Sequence, residues 1–236
     1  MKRTTTEHLL TWLRAPKRRP LVLRGARQVG KTWLARDLAK QSGRELTELN
    51  FERDPRFAGA FQSNDPATII GEVELLSGRA IDPARSLLFL DEIQAAGEVL
   101  SKLRWFCEEL PELPVVAAGS LLEFTLADHS FSMPVGRVTF QYVEPMSFEE
   151  FLAAHGRTRL LDAIQSWRPG EGLSDVAHNE ATRQWQRYAM VGGMPAVVGG
   201  DIDGCSAAET RARQSDLVGT YRADFAKYAG RIDRRA

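Results

Sequence analysis

Leu21-Val22-Leu23-Arg24-Gly25-Ala26-Arg27-Gln28-Val29-Gly30-Lys31-Thr32 joins a short apolar run to a glycine-bounded loop. A helical pattern then continues to about Lys40, with Leu34 and Leu38 as its apolar stripe. Gly25 to Thr32 satisfies G-x-x-x-x-G-K-[ST] at every required position. The setting matters as much as the match. A buried strand delivers the loop, the glycines let backbone amides curl around a phosphate, and the helix that follows turns its positive end toward the anion. Gly25, Ala26, Arg27, Gln28, Val29, Gly30, Lys31 and Thr32 are therefore the expected phosphate cradle. In it, Lys31 would reach the β- and γ-phosphates and the Thr32 hydroxyl would ligate Mg²⁺.

Downstream, Leu87-Leu88-Phe89-Leu90 is continuously apolar, as a strand covered on both faces must be, and it ends in Asp91-Glu92. Ligands of open parallel sheets bind at the carboxyl ends of strands, so this acidic pair belongs beside the phosphate loop. Asp91 is expected to sit opposite Thr32 and hold Mg²⁺ through water, and Glu92 is the expected general base for an attacking water. Between the two motifs lies room for a helix, a strand (Glu45 to Phe51) and a second helix, capped by Asp65 and opened by Pro66. An extra strand between the phosphate-loop strand and the acidic strand, together with glutamate beside the aspartate, is the arrangement of additional-strand ATPases. No [NT]-K-x-D sequence of the kind that reads guanine occurs, which favours ATP over GTP.

A further apolar strand, Val115 to Ala118, runs into Gly119-Ser120, and Val138 to Val143 is a fifth strand candidate. At a strand tip beside the acidic pair, Ser120 is a candidate sensor of the γ-phosphate, or else a cap for the residues after it. Arg137 is a candidate for stabilising transition-state charge, in its own chain or in a neighbouring copy, and equally for a surface salt bridge. Strand and helix alternating in this way predict an α/β fold: a P-loop NTPase with a five-stranded parallel sheet of the additional-strand type, flanked by helices. Gly156, Pro169, Gly170 and Gly172 interrupt the pattern, and the expected division is an ATPase domain over 1–160 and a helical portion over 161–236, the start of an incomplete second domain. A capping box at Ser147–Glu150 marks a helix entrance ahead of that division; beyond it Asn179 to Met190 reads as a helix, and Ser206–Glu209 is a second capping box.

Composition narrows the surroundings. Lys plus Arg and Asp plus Glu both number 31, which excludes a globally basic nucleic-acid coat and an acidic tail. Basic residues gather at both ends, including Arg14, Lys17, Arg18 and Arg19 near the start and Arg211, Arg213 and Arg222 near the finish. That pattern is read first as solvated helix faces and, second to that, as a weak contact surface for a phosphate backbone. No apolar run approaches the roughly 18 residues needed to cross a bilayer, so a membrane is not an expected partner. Cys107 and Cys205 make neither a disulfide framework nor a metal spacing, which suits a cytoplasmic chain. The four histidines form no local metal pattern, and Trp33 and Trp105 are expected to fill the core.

LVLRGARQVGKTWLA, LLFLDEIQ, VVAAGSLLEF, PVGRVTFQYVEPMSFEEFL and VGGMPAVV, taken together, resemble successive landmarks of prokaryotic AAA+-like ATPases with a C-terminal region of unknown function. The resemblance runs from about residue 8 to at least residue 228. Arg27-Gln28 inside the loop and Ile93-Gln94 after the acidic pair are its more particular features. It implies ATP on the phosphate loop, Mg²⁺ at Asp91, hydrolysis promoted by Glu92 and a sensor at Ser120. It also implies a longer chain with a winged-helix-like section and a further C-terminal domain, so this one is expected either to be truncated before that section or to act with a separate partner. Three functions are open from sequence: an ATPase whose nucleotide state switches domain or partner contacts, a nucleotide-dependent interaction module with little turnover, and a phosphotransferase. A homo-oligomer, and a protein or DNA partner that the chain does not identify, are compatible with each.

Overall fold

The computed structural model describes residues 1–119, 134 and 136–232. Their contacts fall into two compact units, one of Thr5–Val143 and one of Met1–Thr4 with the chain from Glu144 onward.

In the first unit, α1 (Thr4–Arg14) precedes β1 (Leu21–Arg24), α2 (Lys31–Ser42), β2 (Glu45–Asn50), α3 (Arg56–Ala60), α4 (Pro66–Ser77) and β3 (Ser86–Asp91). A short 3₁₀ turn (Ile93–Ala96), α5 (Glu98–Glu109), β4 (Val115–Ala118) and β5 (Thr139–Tyr142) complete it. All strand pairs are parallel, and the spatial order is β2-β3-β4-β1-β5. This is the expected five-stranded α/β sheet, with one refinement of placement. β2, which lies between the two motifs in the chain, occupies an edge, and β4 separates the phosphate-loop strand from the acidic strand.

Period-two alternation sends neighbouring side chains of each strand to opposite faces. Val22, Leu88, Leu90, Val115 and Ala117 join Ile69, Val73, Leu103 and Phe106 of α4 and α5 in one cluster. Leu21, Leu23, Leu87, Phe89 and Val116 are equally buried, and α2 contacts β3 and β4 on the other face. With helices on both sides, β3 and β4 have no solvent face, which is why both read as unbroken apolar runs. β5 is the second edge, its residues are mostly exposed, and the rings of Phe140 and Tyr142 flank the Arg24 guanidinium at 5.2 and 5.1 Å.

Local signals set several boundaries. Asp65 caps α4, its carboxylate accepting from the Ala67 and Thr68 amides, with Pro66 in the first turn. Trp33 departs from expectation: it is 40% exposed, because the sheet-facing stripe of α2 is Leu34, Ala35, Leu38 and Ala39 and position 33 lies off that stripe. α1 has no cap signal strong enough to announce it in the sequence, yet Leu9 and Leu13 are buried.

The second unit contains α6 (Phe148–Ala154), α7 (Thr158–Ser166), α8 (Asp175–Val191), α9 (Pro195–Ile202) and α10 (Ala207–Ile232). Its core gathers Met146, Phe151, Val191, Val197, Val198 and Leu217. Because α6 belongs to this cluster, contacts change over at Val143, ahead of the glycine-rich interruption in the sequence. Both capping boxes form: Ser147 with Glu150 at α6, and Ser206 with Glu209 at α10. Among the described residues no helix is long and apolar enough to cross a membrane.

Candidate functional site

The carboxyl ends of β1 and β3 and the amino end of α2 surround a cleft of about 150 Å³. The loop of Gly25 to Gly30 owes its shape to unusual backbone angles. Gly25 has φ 132° and Gly30 φ 98°, values that an L side chain resists, and Gln28 also sits at φ 66°. A Cβ on Gly25 would run into the Val143 carbonyl oxygen, so this position demands glycine for space as well as conformation. Val29 is fully buried, anchoring the loop from beneath, while Arg27, Gln28 and Gly30 line the cleft.

Lys31 and Thr32 open α2, and both reach the cleft. The Lys31 ammonium, only 7% exposed with its residue, donates to the carbonyl oxygens of Gly25 and Ala26 at 2.7 Å each. It therefore spans the loop from inside. The Thr32 hydroxyl donates to Asp91 Oδ2 at 3.2 Å, bringing together two oxygens that are nearly sixty positions apart in the chain.

Asp91 is the last residue of β3 and is buried. Burial pushes its carboxyl above the ordinary aspartate range, the neighbouring Glu92 charge adds to this, and the hydrogen bonds from the Thr32 hydroxyl and the Glu92 amide oppose it. Glu92 adopts the left-handed conformation with φ 52°, its amide donating to Asp91 Oδ1 at 3.1 Å. This twist sends the two consecutive carboxylates in different directions while keeping both on the cleft.

Two contributors escape local sequence reading. Asn50, at the end of β2, stands in register with Asp91 and donates from Nδ2 to Asp91 Oδ2 at 3.4 Å. Gln94 donates from Nε2 to Glu92 Oε2 at 2.6 Å. Nothing near Asn50 in the chain announces it, since only the strand order makes β2 a neighbour of β3. Gln94 had a signal, its place two residues after the acidic pair, but no sequence spacing shows that its amide turns back.

Gly119 reaches the cleft, whereas Ser120 lies outside the described residues. Arg137 is not brought to the cleft. Its guanidinium pairs with Glu108 on α5 at 2.6 Å, an exposed contact of the kind that contributes little to stability. His155, in the helical unit, hydrogen-bonds the Phe151 carbonyl and Asp201, which also meets Arg187.

The donor set fits a magnesium nucleotide. A hydroxyl and a carboxylate lie side by side as hard oxygen ligands, a buried lysine faces the loop, and the aspartate's negative charge is disfavoured by its surroundings until a cation offsets it.

Comparison with known proteins bears on the fold and the family. A family model described as an AAA domain matches residues 17–152. No curated protein matches the sequence. Among solved structures, the Walker-type ATPase PABY2304 of Pyrococcus abyssi is similar over 97% of this chain and 75% of its own, at 15% identity and a TM-score of 0.52. PCH-2 of C. elegans is similar over 83% of this chain and 59% of its own, at 13% identity and a TM-score of 0.47. A katanin structure, from work on the structural basis of its self-assembly, covers 94% of this chain and 70% of its own, at 17% identity and a TM-score of 0.43. The likeness to the Pyrococcus ATPase concerns the fold. The family model spans more than half of the residues, including the phosphate loop, the acidic strand and all five strands, and this chain belongs to the AAA domain family.

Proposed function

We propose that the Thr5–Val143 unit binds ATP with Mg²⁺ and hydrolyses it, and that the change of nucleotide state switches the contacts of this chain. The supporting observation is the meeting of Thr32 and Asp91 at 3.2 Å beside the buried Lys31, at the amino end of α2. In this reading Lys31 exchanges the Gly25 and Ala26 carbonyls for oxygens of the β- and γ-phosphates. The amides of residues 25–32 hold the phosphate chain, with the positive end of α2 behind them. Thr32 and Asp91 hold the magnesium ion, whose chemistry is to neutralise charge on the phosphate oxygens.

Glu92 accepts a proton from the attacking water. The water oxygen bonds to the γ-phosphorus, the bond to the β,γ-bridging oxygen breaks, and that electron pair leaves with ADP. Ser120, directly after Gly119, is proposed as the group that senses the γ-phosphate. Arg137 would act on transition-state charge only by exchanging Glu108 for phosphate, in its own copy or an adjoining one.

Phosphate release by the wild type and by Glu92→Gln, with and without Mg²⁺ and with and without DNA, tests this. Mg²⁺-dependent release by the wild type and loss of it in Glu92→Gln are expected. Tight ATP binding with release no faster than background would replace the ATPase with a nucleotide-dependent interaction module.

A further inference from the structure

Gln94 lies in the 3₁₀ turn that Glu92 opens, where the Glu92 carbonyl accepts from the Ala95 amide. Its side chain folds back so that a single nitrogen, Nε2, faces two carboxylates: Glu92 Oε2 at 2.6 Å and Glu52 Oε1 at 3.3 Å. The other end of the same amide is in a contrary situation. Gln94 Oε1 is buried and has no hydrogen-bond partner among the described residues. Turning the amide over would give the oxygen no donor and set it against two anions. The carboxylates thus dictate the orientation, and the nitrogen is held on Glu92 at the expense of its own oxygen.

The consequence falls on Glu92. A glutamate has three side-chain torsions, and this one stands next to the like charge of Asp91, which favours swinging away from the cleft. An amide donor on Oε2 restrains that swing and leaves Oε1 as the oxygen able to receive a proton. A neutral donor does so without the full positive charge by which lysine or arginine would weaken a base.

We infer that Gln94 is the positioning residue for Glu92, holding its carboxylate in the phosphate cleft through the Nε2–Oε2 hydrogen bond so that the opposite oxygen meets the attacking water. This rests on the ATPase reading above, since it assigns a helper to that reading's base. Gln94 itself touches neither nucleotide nor water in this role.

Steady-state ATP hydrolysis and ATP titrations followed by Trp33 fluorescence, on the full chain, test the inference. Gln94→Ala should lower kcat about tenfold or more, the order of loss expected when a reacting group is misplaced, with ATP affinity within about twofold of wild type. Gln94→Glu keeps the shape and removes the donor, so kcat should fall at least as far; a role in packing alone would leave this variant active. In the Glu92→Gln background, Gln94→Ala should change the residual rate by less than about twofold, because the group to be positioned is gone. Unchanged or raised kcat in Gln94→Ala, activity retained in Gln94→Glu, or an equal loss in both backgrounds would each overturn the inference while leaving the ATPase intact. A wild type that releases no phosphate would overturn both.

Discussion

The Lys31 ammonium donates to the Gly25 and Ala26 carbonyl oxygens of its own loop, and carbonyl groups are weaker partners for an ammonium than phosphate oxygens are. In the proposed nucleotide complex, that exchange of partners would make binding favourable at this residue. A hydrogen bond to a charged group contributes roughly 1.5–3 kcal/mol, so Lys31→Ala should weaken ATP binding by about tenfold to somewhat over a hundredfold. Isothermal titration measures this, and an unchanged affinity would remove Lys31 from the cradle. Gly25→Ala should be at least as damaging for a different reason: the new Cβ meets the Val143 carbonyl, and φ 132° is closed to alanine. Here the expected result is lost ATP binding together with a lowered melting temperature. Melting unchanged from wild type would show that the loop relaxes at small cost.

The entrance to α6 concentrates charge that the sequence announces only in part. Ser147 and Glu150 form the capping box, but the Glu150 carboxylate also accepts from the Arg3 guanidinium at 3.0 Å and from the Thr4 amide and hydroxyl at 2.7 and 2.9 Å. Burial alone would push the Glu150 carboxyl up; the Thr4 donors, the Arg3 charge and the Ser147 amide outweigh it and hold the group below the ordinary glutamate value. A carboxyl lowered in the folded state adds stability above its unfolded value, and that stability fades as pH falls from the ordinary glutamate range through the lowered one. The wild type should therefore lose melting temperature on acidification through this range, and Glu150→Gln should be less stable near neutrality with a flatter acid dependence. Thermal melts from pH 7 down to pH 3 report it, and identical slopes for the two proteins would exclude Glu150 as a contributor. Removal of the cap itself, in Ser147→Ala, should cost about 1 kcal/mol.

Among the described residues, one apolar cluster lies in the Thr5–Val143 unit and another in the unit from Glu144 onward, and the proposed nucleotide site lies within Thr5–Val143. A ligand that binds only folded protein stabilises it by mass action, about 2.7 kcal/mol at a hundred times Kd. Calorimetry with saturating Mg-ATP should show the transition of the Thr5–Val143 unit moved to higher temperature. Hydrogen exchange should slow most in residues 25–32 and 86–92. Omission of Mg²⁺ should reduce both effects, since Thr32 and Asp91 are then left without the ion that offsets the aspartate's charge. Protection spread evenly over the chain, with no focus on these two segments, would argue against the placement of the nucleotide.

The chain's order of residues sufficed for the phosphate loop, the acidic pair, both capping boxes and the alternation that implies a parallel sheet, because each depends on neighbours within about ten positions: backbone angles, hydrogen bonds to nearby amides, and the period of apolar residues. Strand order, the Asn50–Asp91 contact, the return of Gln94 onto Glu92 and the pairing of Arg137 with Glu108 required the folded structure. Which strand lies beside which is decided by the burial of all helices and strands at once. Gln94 adds a subtler limit: its side-chain direction follows from one left-handed residue, Glu92, and from the charges of two glutamates that reach it through different strands.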